Sequence, residues 1–245
     1  MKDLKFLLDP MRLPFLILPP ACVVLGLATA IWTNGPVNWL HFVLVLIGAV
    51  AAHISVNVFN EYFDYKSGLD EKTQRTPFSG GSGRLQQNPE LGNPALIMAW
   101  FFLAVVAAIG IYFAWKIGVA LIPLGILGLL IIYFYTEWIT RYPLLCLIAP
   151  GLGFGTLMVM GTDFVLTGSY SWTAFLASLV PFLILIVPLL IGGADISLSF
   201  LEKLGQSLTP LRLALSALLG VLPGLLFGYR AVTQSQQAAW YQNLD

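Results

Sequence analysis

The 245-residue chain contains few charged side chains, and neither sign is in excess. Asp, Glu, Lys and Arg make up 10% of it, whereas soluble domains typically carry about 25%. Because 12 basic residues balance 12 acidic ones, the chain lacks the net positive charge typical of proteins that bind nucleic acid. Cysteine is also scarce, and both Cys22 and Cys146 lie in apolar runs. Neither a disulfide framework nor a cysteine metal site is therefore predicted.

Apolar residues are abundant, at 58% of the chain with a mean hydropathy of +0.84. A bilayer core of about 30 Å is crossed by roughly 20 apolar residues in a helix. The seven stretches that meet or approach this length are 13–33, 37–59, 94–115, 118–136, 143–162, 172–194 and 213–229. None contains Asp, Glu, Lys or Arg, so we expect every charge to lie in a loop or terminus. Because lipid cannot satisfy free backbone groups, the sequence predicts an all-α integral membrane protein with about seven transmembrane helices.

The distribution of basic residues predicts the orientation in the membrane. With the N-terminus in the cytoplasm, ten Lys and Arg residues fall in inner segments and two, Lys116 and Arg230, in outer segments. Cytoplasmic loops normally carry this excess. We therefore predict a protein of the inner or plasma membrane with a cytoplasmic N-terminus and an outside C-terminus. Residues 28–30 resemble a signal-peptidase site, but the apolar run before them is long and interrupted by prolines, so a retained first span is expected.

The chain is predicted to form one transmembrane domain over residues 1–245. Its longest connection, 60–93, falls on the cytoplasmic side and contains charged residues, aromatic residues and a dense glycine run. Long connections in compact domains are usually functional or disordered, and this composition favours an active-site loop. The tail at 231–245 is polar and glutamine-rich and is not expected to form another span.

Oxygen-bearing side chains recur at helical spacing at the inner end of the second stretch, at Asn57, Asn60, Glu61 and Asp64. If the helix continues past this stretch, their spacing of i, i+3, i+4 and i+7 places them on one face. A turn at a following glycine can return Asp70 towards Asp64. Such oxygens suit Mg²⁺, which binds one or two carboxylates and completes its shell with waters and phosphate oxygens. The alternative is that these acids merely solvate a helix end.

A glycine-rich segment with flanking arginines follows, from Arg75 to Arg84. Glycines let backbone N–H groups approach an anion closely, and arginine adds charge-assisted hydrogen bonds. The Gly-Lys-Ser/Thr ending of a Walker loop is absent. Acidic metal ligands followed by this basic segment favour a magnesium–diphosphate ligand, while a flexible linker is the alternative interpretation.

Two smaller patterns concern packing within the membrane. Gly151, Gly153 and Gly155 on the fifth stretch predict close helix–helix contact through small residues. His53 lies four residues before Asn57, where a hydrogen-bonded packing role and a functional role are equally consistent with the sequence.

The inner end of the second stretch resembles the first motif of the UbiA superfamily of intramembrane prenyltransferases, an Asn followed by spaced aspartates. Asn60, Asp64 and Asp70 match this motif, and Glu61 stands where Asp is commoner. Segment 75–83 is similar to the glycine-rich segment of one subgroup. Segments 155–161 and 165–172 are similar to the family's fifth helix and its exit. The closest branch looks like the 1,4-dihydroxy-2-naphthoate prenyltransferases of menaquinone synthesis.

This resemblance implies a helical bundle around a central cavity that opens laterally to lipid. It implies Mg²⁺ as cofactor, and an isoprenyl diphosphate and a small aromatic acceptor as substrates, in quinone or related lipid biosynthesis. The implied metal ligands are Asn60, Asp64, Asp70 and Asp195. The implied catalytic residues are Asp64, Asp70, Arg75 and Asp195. The implied substrate-binding residues are Asn57, Asn60, Glu61, Lys72, Arg84, Ser199 and Tyr135. Aromatic faces that could shield an allylic cation belong to Tyr62, Tyr133 and Tyr135.

The chain departs from the family pattern at the second aspartate motif and in the number of spans. Asp195 is present, but Ser199 stands where a second aspartate is expected. Seven stretches occur where nine spans are expected, which exposes part of the bundle or requires an oligomer or a partner protein to cover it. A catalytically impaired relative that binds prenyl diphosphate or supports a partner enzyme is therefore the alternative function. A cation transporter fits less well, because the acids flank the cytoplasmic helix ends instead of the membrane midplane.

Overall fold

The computed structural model describes residues 8–68 and 82–193, and the regular structure in these ranges is helical throughout. The α-helices are α1 (Leu18–Asn34), α2 (Trp39–Ser67), α3 (Arg84–Gln87), α4 (Gly92–Lys116), α5 (Ile122–Glu137), α6 (Pro143–Pro150), α7 (Met158–Thr167) and α8 (Trp172–Gly193). A π-helix, Gly151–Leu157, joins α6 to α7. Short 3₁₀ turns lie at Asp9–Met11, Leu13–Phe15, Pro89–Leu91, Val119–Leu121 and Ile139–Arg141.

Four helical runs in the described ranges are long and apolar enough to cross a membrane, namely Trp39–Ser67, Pro89–Lys116, Val119–Glu137 and Leu144–Thr167. Leu18–Asn34 and Trp172–Ile186 are shorter apolar helices. The chain is an all-α integral membrane protein, as predicted. Six of the seven predicted stretches are helical, and the seventh, 213–229, lies outside the described residues.

Contacts within the chain divide it into two units. The first consists of Met1–Pro19 with Leu46–Ala149, and the second of Pro20–Val45 with Pro150–Asp245. The described part of each unit has its own buried apolar cluster. The first unit contains the C-terminal end of α2, and the second contains the π-helix.

In the first unit, α2 packs on α4 and α5 through large aromatic and very small side chains. Phe59 is buried against Trp100 and Tyr133, with ring centroids 5.3 and 5.6 Å away. Ala99 on α4 is fully buried. Its small methyl group lets the two helix backbones approach closely. The Ser55 hydroxyl donates a hydrogen bond to the Ala99 carbonyl at 2.9 Å. This bond joins two helices where lipid offers no polar partner.

In the second unit, glycines bring helix backbones into contact. A Cβ atom added to Gly26 of α1 would lie 2.6 Å from the Val159 carbonyl oxygen of α7. A Cβ atom added to Gly155 of the π-helix would lie 2.8 Å from the Phe182 backbone nitrogen of α8. Both distances are shorter than a real Cβ contact, so each position requires glycine unless a helix moves.

The π-helix follows a proline and contains the three glycines of the fifth stretch. Pro150 has no N–H to donate within a helix, and the Met158 N–H donates to the Gly153 carbonyl five residues earlier. The predicted packing role is confirmed for Gly151 and Gly155, where an added Cβ would lie 3.0 Å or less from α8. Among the described residues no atom lies within 4 Å of a Cβ added to Gly153, so its packing role stays a prediction.

A buried carboxylate lies inside the fifth span, the helical run Leu144–Thr167 that consists of α6, the π-helix and α7. Asp163 on α7 is 0% exposed and accepts hydrogen bonds from Thr29 Oγ1 at 2.7 Å and Ser171 Oγ at 2.9 Å. Ser171 also caps the start of α8, since its Oγ accepts the Ala174 N–H at 3.0 Å. Asp163 therefore links α1, α7 and the beginning of α8.

Two helices extend beyond the apolar stretches that predicted them. Helix α2 ends at Ser67, so the connection predicted at 60–93 begins only after that residue. The fifth span ends at Thr167 instead of residue 162. The prediction that every charge lies in a loop or terminus is therefore wrong for Glu61, Asp64 and Asp163. Hydropathy shows only where the apolar stretch ends. The helix can extend further when the polar side chains of its last turns are hydrogen-bonded.

Candidate functional site

Asn60 and Asp64 form a hydrogen-bonded pair on the last turns of α2. Asn60 Nδ2 donates to Asp64 Oδ2 at 2.9 Å and to Thr136 Oγ1, on α5, at 3.1 Å. Residues four apart lie on the same face of a helix, as the spacing predicted. Because both N–H groups of the amide have acceptors, the orientation of its oxygen, Oδ1, is fixed as well.

Arg12 completes this group, although the sequence pattern did not indicate it. Its Nη2 donates to Asn60 Oδ1 at 3.4 Å. Arg12 lies between two 3₁₀ turns with φ 51° and ψ 56°, and it is the one non-glycine residue with positive φ in the described ranges. A left-handed backbone at such a residue costs on the order of 1–3 kcal/mol and often marks a functional site. The two turns fix the Arg12 backbone next to α2, and the guanidinium contacts the Asn60 amide.

Tyr135, on α5, borders the same group. It directly precedes Thr136, whose Oγ1 accepts the Asn60 amide, and its side chain is half-buried. Tyr133 belongs instead to an aromatic cluster whose other members are Phe59, Phe63 and Trp100.

Glu61 has a different partner. Its side chain is 1% exposed, and its two carboxylate oxygens lie 2.9 and 2.8 Å from the Ser82 nitrogen, whose N–H they accept. Glu61 Oε1 also accepts a hydrogen bond from the Ser82 hydroxyl. These bonds attach the residues just before α3 to α2. The predicted part of Glu61 in substrate binding stays a prediction.

Arg84 is paired with Asp9 at the surface. Its Nε lies 2.5 Å from Asp9 Oδ2, and both side chains are partly exposed. Asp9 begins the 3₁₀ turn before Arg12, and its carbonyl oxygen accepts the Arg12 N–H at 3.0 Å. The described contacts of Arg84 therefore support the turn that carries Arg12. An exposed ion pair of this kind contributes at most about 1 kcal/mol to stability.

Asn57 lies about one turn before Asn60 and is partly buried. Its Nδ2 donates to the backbone oxygen of His53 at 2.8 Å, which is a bond within α2. Of the four side chains predicted to share a face, Asn60 and Asp64 therefore bond to each other, while the other two have their own partners.

The remaining predicted site residues lie outside the described residues, and they are Asp70, Lys72, Arg75, Asp195 and Ser199. Among the residues that the structure describes, no three His, Cys, Asp or Glu side chains are grouped to hold a metal ion. Asn60 and Asp64 supply one carboxamide and one carboxylate. This pair fits Mg²⁺ as the protein's share of a shell that phosphate oxygens and water complete.

Comparison with protein families identifies the family of this chain. The model of the UbiA prenyltransferase family matches residues 17–231, a range that includes α2 with Asn60 and Asp64 and the whole fifth span. No individual curated protein matches the chain. The family predicted from the first aspartate motif is confirmed, because the match covers far more than half of the sequence. The chain therefore belongs to the UbiA prenyltransferase family, whose members are membrane enzymes that transfer prenyl groups to aromatic acceptors.

Proposed function

We propose that this protein transfers an isoprenyl group from a prenyl diphosphate to a small aromatic acceptor, with Mg²⁺ held at the inner end of α2. The observation that carries the proposal is the Asn60–Asp64 pair, with Arg12 beside it. The group combines oxygen donors for a divalent cation with a guanidinium for an anion. A diphosphate bound together with its metal requires both kinds of partner.

The proposed reaction replaces a carbon–oxygen bond by a carbon–carbon bond. The bond between the allylic C1 atom and the diphosphate oxygen breaks, and its electron pair leaves with the diphosphate. A ring carbon of the acceptor bonds to C1 and releases the group it carried, which is a proton from an unsubstituted carbon or carbon dioxide from the carbon that bears the carboxylate. Bound Mg²⁺ supplies Lewis-acid stabilisation of the leaving diphosphate. Fixed positive groups of the protein lower the barrier further, because they are oriented before charge develops.

The described side chains have separate parts in this proposal. Asp64 and Asn60 bind the metal, and Asp70 and Asp195 are the proposed further ligands. Tyr135, which precedes Thr136 on α5, is the proposed aromatic shield for the allylic cation. Arg75 is the proposed catalytic arginine. The side chains proposed to bind the substrates are Asn57, Asn60, Glu61, Lys72, Arg84, Ser199 and Tyr135.

The acceptor that we propose is 1,4-dihydroxy-2-naphthoate, which would give the protein a role in menaquinone synthesis. Support comes from the resemblance of the Asn60-to-Asp70 motif and the glycine-rich segment to that branch of the family. A second acceptor, 4-hydroxybenzoate, serves as the comparison because it represents another class of small aromatic ring.

The proposal is tested with the full chain in lipid nanodiscs, labelled geranylgeranyl diphosphate, Mg²⁺ and each acceptor. We expect Asp64→Asn to lower kcat/KM by roughly 100-fold or more, because a neutral amide no longer attracts the cation on which leaving-group stabilisation depends. Glu90→Gln is the matched control, since Glu90 is an exposed carboxylate on the turn before α4, and wild-type activity is expected.

Three results would count against the proposal. Full activity of Asp64→Asn would remove Asp64 from the metal site. Unchanged turnover after the Mg²⁺ is removed with EDTA would remove the metal from the reaction. Retained pyrophosphate binding without product from either acceptor would favour the catalytically impaired relative.

A further inference from the structure

The Asn60 carboxamide has one oxygen to offer a metal, and Arg12 already uses it. Asn60 Nδ2 donates to Asp64 and Thr136, at 2.9 and 3.1 Å, so the amide cannot rotate without losing both bonds. Its Oδ1 accepts from Arg12 Nη2 at 3.4 Å. A guanidinium at this oxygen opposes a divalent cation chiefly because it carries the same sign of charge, and it also occupies one of the two lone pairs of the oxygen.

The position of Arg12 is set by its surroundings. Its backbone is left-handed at φ 51°, its N–H donates to the Asp9 carbonyl at 3.0 Å, and its carbonyl accepts the Phe15 N–H at 2.9 Å. The Asp9 side chain is in turn paired with Arg84. The long, 3.4 Å bond to Asn60 is weak beside these restraints, so the guanidinium can leave Asn60 while the turn remains in place.

A diphosphate offers the guanidinium a better partner than the amide oxygen does. Arginine binds phosphate oxygens through paired, charge-assisted hydrogen bonds, which are roughly twice as strong as bonds to neutral groups. Transfer of Arg12 to the diphosphate would free Asn60 Oδ1 for the metal. The two ligands would then assist each other's binding, and such assistance is reciprocal.

We propose that Arg12 exchanges partners when substrate binds: it competes with the metal at Asn60 in the empty site and becomes a ligand of the diphosphate in the loaded site. The inference rests on the proposed function, since it assumes that Asn60 binds the metal and that a diphosphate binds beside it. Arg12 would therefore weaken binding of the metal and strengthen binding of the diphosphate. A purely structural role would change both affinities in the same direction.

The experiment measures binding of Mn²⁺ alone and of inorganic pyrophosphate alone, the latter in EDTA, to the full chain in nanodiscs. Arg12→Met removes the charge and the donor while keeping similar length. We expect Mn²⁺ to bind about fivefold more tightly and pyrophosphate about fivefold more weakly, at the low end of ordinary coupling between sites. Arg141→Met is the matched control, because Arg141 is an exposed arginine on the turn after α5, and both affinities should equal those of the wild type.

A conservative variant guards against misfolding of Arg12→Met. Arg12→Lys keeps the charge but loses the planar fork, so Mn²⁺ affinity should stay within about twofold while pyrophosphate affinity falls. Weaker binding of both ligands in Arg12→Met, or no change in either, overturns the inference about Arg12 and leaves the proposed function intact. Failure of the wild type to bind either ligand overturns the proposed function and the inference together.

Discussion

Two hydroxyl groups allow a carboxylate to remain buried within a membrane-spanning helix. Thr29 and Ser171 each donate to a different oxygen of Asp163, at 2.7 and 2.9 Å. An ionisable side chain inside the bilayer costs several kcal/mol unless it is paired or hydrogen-bonded. The three side chains therefore stabilise the second unit as a set, and each depends on the other two.

This dependence predicts the effect of removing the acid. Asp163→Leu removes the shared acceptor of the buried Thr29 hydroxyl and the half-buried Ser171 hydroxyl, while Thr29 keeps its second acceptor, the Gly26 carbonyl, so we expect the free energy of unfolding to fall by about 1–3 kcal/mol. Asp163→Asn keeps the shape and one acceptor, and a loss of about 1 kcal/mol is expected. Thermal unfolding of the purified protein in detergent measures both. In the double variant Asp163→Leu/Thr29→Val the loss should be smaller than the sum of the single losses, and strict additivity would contradict the arrangement.

At this scale the sequence predicts contacts within one helix better than contacts between segments. The Asn60–Asp64 contact follows from a separation of four residues on α2. The Arg12–Asn60 contact joins residues 48 apart and depends on a left-handed backbone that nothing in the local sequence requires. Glu61 has the expected spacing, but its partner Ser82 lies 21 residues away and could not be identified from the spacing.

At the scale of the elements, the π-helix packs on α8 through some of its glycines and not through others. The backbone of α8 passes so near Gly155 that an added Cβ would lie 2.8 Å from the Phe182 nitrogen. Gly153, two residues earlier, has no described atom within 4 Å of an added Cβ. The two positions therefore form a natural pair for testing how close the two helices are.

We expect Gly155→Ala to lower the free energy of unfolding by about 1–3 kcal/mol, because backbone atoms must move to admit the methyl group. Gly153→Ala should be neutral or slightly stabilising, since alanine is favoured over glycine in helices by up to about 1 kcal/mol. Thermal unfolding of both variants in the same detergent makes the comparison. Equal effects of the two substitutions would show that α8 does not approach the π-helix as described.

The helices themselves follow from hydropathy, but their ends follow from polar contacts. The start of α2 has a local signal, since Asn38 Oδ1 accepts the N–H groups of Leu40 and His41 at 3.0 and 3.2 Å and so caps the helix. The end of the fifth span also has a local signal, since Gly168 stops the helix in a left-handed conformation with φ 81°, but the burial of Asp163 before it depends on donors from other segments. A single sequence does not show which distant hydroxyl group will meet an acid.

At the scale of the whole molecule, the ten-to-two distribution of basic residues predicts which loops face the cytoplasm. We expect a cysteine at Ser169, after the fifth span, to react with a membrane-impermeant maleimide on intact cells. A cysteine at Thr140, on the turn after α5, should react only after the cells are opened. Both residues are exposed, and both substitutions are made in a background without Cys22 and Cys146.

The reverse labelling pattern would place the Asn60–Asp64 pair on the outer side of the membrane. Labelling of both cysteines on intact cells would indicate a mixed orientation or leaky cells. A cytosolic marker protein with a free thiol distinguishes these two cases, because it is labelled only when the membrane is leaky.

Family membership and membrane class could be predicted from the sequence, because they rest on one motif and on long apolar stretches. The second aspartate motif could not be assessed in the same way. Asp195 and Ser199 are close in sequence to each other but far from Asn60, and they lie outside the described residues. Whether they complete the metal site depends on a contact between distant segments, which spacing alone does not predict.

The length of α2 determines which lipid groups lie near Glu61 and Asp64 on its last turns. Its 29 residues span about 43 Å, whereas the hydrocarbon layer is about 30 Å thick, so its last turns extend into the zone of lipid headgroups. Phospholipids place their own phosphates at that depth. On the proposed function, anionic lipids at that depth compete with the prenyl donor for magnesium and for arginine, so we expect the donor concentration that the protein requires to rise with the anionic lipid content of the membrane.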